Sequence, residues 1–263
     1  MLELRSVSFR YPQQTPIFEQ FAWKVKRGES WAIVGPSGCG KSTLLYLLAG
    51  LKLAESGEIL VEGAALKKPR PHTGLVLQDY GLLPWATLRE NVTLGLRVHR
   101  FYGPDGIHAP SGKVIREVEV QGDAWLERLG LTGVGGQYPG QVSGGQRQRA
   151  ALARTLAMEP DLLLMDEPFA SLDAPTRESL QKFIAQLQAE TSMTLVIVTH
   201  SVEEAVLLGK KVLILDLPPN RSARVIDNPG AGSSDYALSS GYQETCARLR
   251  QKLGQGLIQV GSG

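Results

Sequence analysis

Gly35-Pro36-Ser37-Gly38-Cys39-Gly40-Lys41-Ser42-Thr43 fills every fixed position of the pattern G-x-x-x-x-G-K-[ST]. Ahead of it, Ser30-Trp31-Ala32-Ile33-Val34 is a short apolar run with the character of a buried strand. Behind it, Leu44-Leu45-Tyr46-Leu47-Leu48-Ala49 begins a buried helix. Strand, glycine loop and helix in that order give the pattern a mechanism. Glycines let the backbone turn tightly, so that its N–H groups converge on a polyanion. The helix N-terminus adds unpaired N–H groups and partial positive charge. Lys41 then reaches the β- and γ-phosphates of a nucleoside triphosphate, and the Ser42 hydroxyl is placed to ligate Mg²⁺. The plainer reading is a glycine-rich turn that happens to hold a lysine, and the flanking strand and helix argue against it. The loop implies a bound triphosphate and does not say what the triphosphate is for.

Before the loop, residues 1–34 have strand character. Leu2, Leu4 and Val7 mix with polar residues until Tyr11-Pro12 breaks the run, and residues 18–25 set Phe21, Trp23 and Val25 on one face. Tyr11 has two readings, an edge-strand aromatic or a flat ring that stacks on the base of the nucleotide. After the loop, Gly50 stops the helix, and residues 56–63 form a turn and a short strand. Lys67-Lys68-Pro69-Arg70-Pro71 is expected to be a solvated connection. Residues 74–79 are expected to be a strand ending in Gln78-Asp79, followed at once by the apolar cluster Leu82-Leu83-Pro84-Trp85. Such a cluster in a loop is either covered by the fold or a docking surface.

From residue 87 to about 157 the pattern becomes helical, with Leu88, Val92 and Leu96, and then Trp125 and Leu129, at fourfold spacing. Between them, residues 100–123 are expected to form an exposed excursion, with a short strand at 114–120. A glycine-rich loop at 137–142 runs into Ser143-Gly144-Gly145-Gln146 and a strong helix. Residues 161–165 form an unbroken apolar strand that ends in Asp166-Glu167-Pro168. An amphipathic helix at 175–190, a buried strand at 194–199 ending at His200, a helix at 202–208 and a last strand at 212–217 follow. Beyond Pro218 the chain loosens, with a flexible stretch at 228–234 and a helix at 242–253. Helices alternating with buried strands imply an α/β fold, with a mainly parallel sheet covered on both faces.

Composition sets the bounds. The chain has 263 residues with a formal net charge of +2, so bulk charge gives no case for nucleic acid as a partner. Its two cysteines, Cys39 and Cys246, are not in metal-ligand spacing. A disulfide at Cys39 would obstruct the loop, so a reducing cytoplasm is expected. Met1-Leu2-Glu3-Leu4-Arg5 has no apolar leader, and the leucine-rich run at 44–53 is cut by Lys52 and too short to span a bilayer. A soluble protein is expected, needing a spanning partner for any role at a membrane.

The acidic pair completes the phosphate site. Ligands of parallel sheets bind at the carboxyl ends of strands, where the phosphate loop also sits. Asp166 is placed to hold Mg²⁺, directly or through water, and Glu167, one residue on, points elsewhere and can reach an attacking water as a base. The plainer alternative is that the pair only caps a strand. Ser143-Gly144-Gly145-Gln146 opens a helix and so offers a second phosphate-facing start, without a lysine-bearing loop of its own. A two-fold dimer resolves this, with the serine-glycine turn of one subunit closing over the nucleotide held by the other.

This ordered set resembles the ATP-binding cassette (ABC) ATPases over roughly residues 1–217. The resemblance implies a P-loop NTPase (RecA-like) core, an N-terminal antiparallel β subdomain and an inserted helical subdomain. The expected division is a core of 1–78 and 159–217, a helical part of about 79–158, and an extension at 218–263 that is partly flexible. By resemblance Tyr11 is the aromatic that stacks on adenine, and residues 35–43 are the Walker A loop. Gln78 is the Q-loop glutamine that touches Mg²⁺ and the attacking water. Ser143-Gly144-Gly145-Gln146 is the family signature, preceded here by Val142 where leucine is usual. Asp166 and Glu167 match the Walker B aspartate and catalytic glutamate. Ser171-Leu172-Asp173 matches the D-loop, which crosses the dimer interface, and His200 matches the switch histidine at the γ-phosphate.

Outside the chemistry, Leu82-Leu83-Pro84-Trp85 with Arg89-Glu90-Asn91-Val92 and Asp166-Glu167-Pro168-Phe169 resembles the nitrate, sulfonate and taurine importer ATPases. That implies ATP and Mg²⁺ as cofactors and a homodimer or paired cassette with composite ATP sites. Permease subunits would dock near residues 78–85, beside a separate solute-binding protein, at the cytoplasmic face of a bacterial membrane. The excursion at 100–123 is longer than that subfamily leads one to expect. Three classes stand against one another: the ATPase of an importer, or of an exporter; a soluble ABC ATPase acting on DNA or ribosomes; and a P-loop kinase or GTPase. DNA-repair members carry long coiled coils and translation factors two cassettes, and this chain has neither. A kinase has no need of residues 143–146, and the guanine-reading Asn-Lys-x-Asp motif of GTPases is absent.

Overall fold

The structure, a computed structural model, describes residues 1–102, 112–233 and 235–258. Two sheets organise it. Strands β1 (Leu2–Phe9), β2 (Phe18–Val25), β4 (Ser56–Val61) and β5 (Ala64–Ala65) pair antiparallel in the order β2-β1-β4-β5. The second sheet has the order β10-β9-β3-β8-β7-β6. It holds β3 (Ser30–Val34), β6 (Thr73–Val76), β7 (Leu162–Asp166), β8 (Thr194–Val198) and β9 (Lys211–Ile214), all parallel, and the antiparallel edge strand β10 (Arg224–Asp227). The helices are α1 (Lys41–Leu48), α2 (Leu88–Tyr102), α3 (Gly112–Arg128), α4 (Gly144–Leu156), α5 (Ala174–Thr191), α6 (Val202–Leu208) and α7 (Ser240–Ile258).

Strands β3, β7 and β8 are buried at every position, and mostly apolar, because both faces are covered. Trp31, Ile33, Leu162, Leu164, Val196 and Val198 face one core, shared with α1 and the antiparallel sheet. Their neighbours Ala32, Val34, Leu163, Met165, Leu195 and Ile197 face the other, shared with α2 to α7. The period-two alternation thus splits each strand between two cores rather than between core and water.

Several expectations need correction. Residues 114–120 lie in helix α3 and not in a strand. Val118, Leu126 and Leu129 are buried at helical spacing, whereas Val120 is 66% exposed, so the local valine alternation gave way to a 3.6-residue period. Of the excursion at 100–123, residues 103–111 lie outside the described residues, and those on either side belong to α2 and α3. The strand at 212–217 ends at Ile214 and is not the last, since β10 adds to it as an antiparallel edge. The stretch at 228–234 is anchored at its start: Asn228 is buried and its Nδ2 donates to the carbonyls of Val206 and Gly209, each at 2.7 Å. The basic connection at 67–71 is solvated as expected, with Lys67, Lys68, Pro69 and Pro71 exposed, and is pinned at one residue. Arg70 makes a bidentate pair with Asp161 at 3.1 and 2.8 Å, just ahead of β7.

Strand register puts the site together. Ile33 and Asp166 both register with Val198, and Val76 registers with Met165. The segments leaving β3, β8, β7 and β6 therefore emerge side by side at one edge of the parallel sheet. They carry the glycine loop, His200, Glu167 and Gln78.

Candidate active site

The glycine loop runs from β3 into α1 with no side-chain cap. Gly40, the N-cap residue, has φ 103° and ψ 14°, and a Cβ there would meet Ile17 Cγ2 at 2.4 Å. Only glycine satisfies both the left-handed backbone and the close approach. With no capping side chain, the first-turn N–H groups of α1 are left for an anion. Lys41 Nζ folds over the loop and donates to the carbonyls of Gly35 and Pro36, both at 2.9 Å. The loop is braced from behind by Asn220, itself 4% exposed, whose Nδ2 donates to the Cys39 carbonyl at 2.9 Å. Cys39 is a buried free thiol, and burial pushes its pKa up.

Tyr11 reaches the same loop. Its hydroxyl is 3.3 Å from Thr43 Oγ1, its ring meets Phe9 edge-on at 5.2 Å, and Lys52 Nζ lies 4.8 Å from the ring centroid. Asp166, the last residue of β7, is 4% exposed. Burial pushes its carboxyl above the ordinary range, while a hydrogen bond from the Ser42 hydroxyl draws it down. A buried carboxylate paired with a hydroxyl offers oxygen donors only, the set a hard cation such as Mg²⁺ takes. Among the described residues no group of three or more His, Cys, Asp or Glu is placed to hold a metal.

Glu167 follows with φ 47°, a left-handed backbone uncommon for a side chain of its size. Its N–H is tied to the Val198 carbonyl at 2.9 Å, which fixes the turn. The carboxylate meets His200, whose Nδ1 is 3.3 Å from Glu167 Oε2. Strained backbone held by surrounding hydrogen bonds is common where a side chain must be aimed. Gln78 lies two residues beyond β6, at the same edge of the sheet.

The serine-glycine turn is built differently. Ser143 caps α4: its Oγ accepts from Gln146 N at 3.2 Å, and Gln146 Oε1 accepts from Ser143 N at 2.9 Å. Since Oγ acts as an acceptor there, its O–H stays free to donate to a phosphate oxygen. The turn packs inside its own chain against the next loop. A Cβ at Gly145 would lie 3.3 Å from Leu172 Cδ2 and from Thr176 Cγ2. Asp173 is occupied as the N-cap of α5, accepting from Thr176 N at 3.2 Å. The structure thus brings together residues 35–43, Tyr11, Asp166, Glu167 and His200, and places Ser143, Gly144, Gly145, Gln146 and Asp173 in a second group around Leu172.

The Leu-Pro-Trp loop is rigidly held and outward-facing. Asn91, fully buried, accepts from Leu83 N at 2.8 Å and donates to the carbonyls of Leu83, Ala86 and Thr87 at 3.0 to 3.1 Å. Trp85 is nevertheless 73% exposed. Arg154 of α4 donates to the carbonyls of Gly81 at 2.7 Å and Tyr80 at 3.0 Å, and the Tyr80 hydroxyl bonds Ser171 Oγ. Sequence reading passed over Asn220, Arg154, Arg177 and Glu204. A signal existed for the last two, which stand four residues after Asp173 and His200, one helical turn away.

Residues 18–170 match the family model described as ABC transporter. The taurine import ATP-binding protein of Pseudomonas aeruginosa is 41% identical over 220 residues, covering 83% of this chain and 79% of that protein. The aliphatic sulfonates import ATP-binding protein of Bacillus cereus is 33% identical over 265 residues, covering 98% of each. Among solved structures, a dimeric ATP-binding cassette in a post-hydrolysis state, bound to ADP and Pi, aligns with a TM-score of 0.73 at 28% identity. That alignment covers 86% of this chain and 98% of the other.

Proposed function

The chain belongs to the ABC transporter family, and on that premise we propose that it powers import of small sulfonates of the taurine type. It is an ATPase that uses ATP and Mg²⁺ and works as a paired cassette beside permease subunits and a separate solute-binding protein. The observation that carries the catalytic reading is the Glu167–His200 pair, held where two adjacent parallel strands end beside the glycine loop.

In this reading residues 35–43 cradle the phosphates, Lys41 turns from the loop carbonyls to the β- and γ-phosphates, and Tyr11 stacks on the base. Ser42 and Asp166, with Gln78, hold Mg²⁺, which when bound offsets the charge of the phosphate oxygens. Glu167 takes the proton of the attacking water, and His200 contacts the γ-phosphate while its Nδ1 holds the Glu167 carboxylate in place. Ser143, Gly144, Gly145 and Gln146, with Asp173, face the nucleotide of the partner copy and close the site. Closure and release of the two copies then drive the permease through the loop at 78–85.

The division we propose keeps the ATPase unit at 1–217, with a core of 1–78 and 159–217 and a helical part at about 79–158. Residues 218–263 form an extension that also supplies an edge strand and the Asn220 brace. Among the described residues no helix is long and apolar enough to cross a membrane. Attachment at the cytoplasmic face therefore rests, in this reading, on the permease. Reconstitution with the permease and solute-binding protein in vesicles tests the substrate class. ATP-dependent uptake of labelled taurine or an alkanesulfonate is expected, and ATP hydrolysis without uptake of either contradicts it.

A further inference from the structure

Two loops of the site are joined by a side-chain bridge that the catalytic reading does not use. Arg177, in the first turns of α5, sends Nη2 to the carbonyl of Leu172 at 2.8 Å. Its Nε lies 4.0 Å from Glu204 Oε1 on α6. Glu204 is 8% exposed, and its Oε2 accepts from the Thr199 hydroxyl. Thr199 Oγ1 in turn accepts from Ser201 N at 3.0 Å, and Ser201 Oγ caps α6 by accepting from Glu204 N at 3.2 Å. His200 is the residue these bonds enclose. One guanidinium thus spans from the Ser171-Leu172-Asp173 loop to the turn that carries His200.

The bridge has slack at one point. Arg177 Nε is buried and has no hydrogen-bond partner among the described residues. A buried donor left unpaired is costly, and the nearest acceptor in this chain of bonds, Glu204 Oε1, is about 1 Å too far for a charge-assisted hydrogen bond. A small shift of either loop closes the gap. The loop on the Leu172 side also touches the serine-glycine turn, through Gly145, and the Tyr80 hydroxyl, through Ser171.

We propose that Arg177 and Glu204 are positioning residues for ATP hydrolysis, coupling the seating of the Ser171-Leu172-Asp173 loop to the placement of His200 against Glu167. The inference rests on the roles given to His200 and Glu167 above. A guanidinium suits the task because Nη2 holds the Leu172 carbonyl while Nε remains as a second donor for Glu204, which the one nitrogen of an ammonium does not reproduce.

The test is a double-mutant cycle on the full-length chain, with ATP hydrolysis followed under single-turnover conditions to resolve slow variants. Arg177→Met and the isosteric Glu204→Gln are each made in the wild-type and the His200→Ala backgrounds. Each is expected to lower kcat about 10-fold, with KM for ATP changed less than about 2-fold, and to cost less than about 2-fold more once His200 is gone. Equal losses in both backgrounds, or no loss in the wild type, overturn the inference. Equal turnover of the wild type and His200→Ala overturns the reading beneath it as well. Glu204→Gln keeps the acceptor for Thr199 and the side-chain volume, so it serves if Arg177→Met does not fold.

Discussion

His200 Nδ1 lies 3.3 Å from Glu167 Oε2, across the ends of two strands that register Asp166 against Val198. Neighbouring parallel strands place the pair, and the Glu167 N–H bond to Val198 locks its turn. The pair is therefore a product of the sheet, not of a mobile loop.

Glu167→Gln follows directly from that placement. The amide keeps the shape and the bond to His200 but has no basicity to take a proton from water. Turnover is expected to fall roughly 100- to 10,000-fold, the usual worth of a general base, with ATP binding retained. Size-exclusion chromatography with ATP should show the variant persisting as a dimer. Full turnover contradicts the role of Glu167 as base.

Trp85→Ala addresses the docking loop. Because Asn91 fixes the loop independently, the substitution is expected to leave folding and ATP binding intact. Loss of a buried aromatic anchor at an interface costs roughly 2 kcal/mol or more, about 30-fold in Kd for the permease. Unchanged affinity in a pull-down titration removes Trp85 from the interface.

Arg154→Met isolates the link between that loop and α4. Burial holds the guanidinium below its ordinary pKa, yet its hydrogen bonds to Tyr80 and Gly81 remain charge-assisted. Losing both should cost about 2 kcal/mol locally, so amide exchange at 78–86 should speed up about 30-fold while the rest of the chain keeps its protection. Uniform acceleration over the chain would show a global effect instead.

Glu204 sets a pH dependence of stability. Burial holds its carboxyl above the ordinary value of 4.5, against the pull of the Thr199 hydroxyl and the Arg177 charge. The folded chain therefore keeps this proton at a pH where the unfolded chain has lost it. The stability it contributes is full below 4.5 and is lost as pH rises through the folded value. Urea unfolding of the wild type should weaken relative to Glu204→Gln as pH rises from 4.5 through that window. A difference that stays constant with pH contradicts the assignment.

Much of this was legible in the sequence, for identifiable reasons. Residues 31–34 and 162–165 are apolar throughout because a parallel sheet buries both faces, and the glycine loop is legible because only certain residues allow its backbone. The valines at 114–120 misled, since an alternating run four to seven residues long suits a strand and a helix alike until burial decides. Asn220 and Arg154 were invisible because the groups they hold belong to the backbone, which leaves no mark in a sequence. Ser143 was legible as a helix cap, while what it faces across a dimer depends on a second copy.

The central claim is that residues 35–43 of one copy and Ser143 of the other make one ATP site. Chains carrying Lys41→Ala and Ser143→Arg are each expected to be inactive as homodimers. Mixed in equal amounts, half the dimers pair one of each and regain a single intact site. ATPase activity should then recover to about a quarter of wild type. A mixture no more active than its two parents contradicts the shared site.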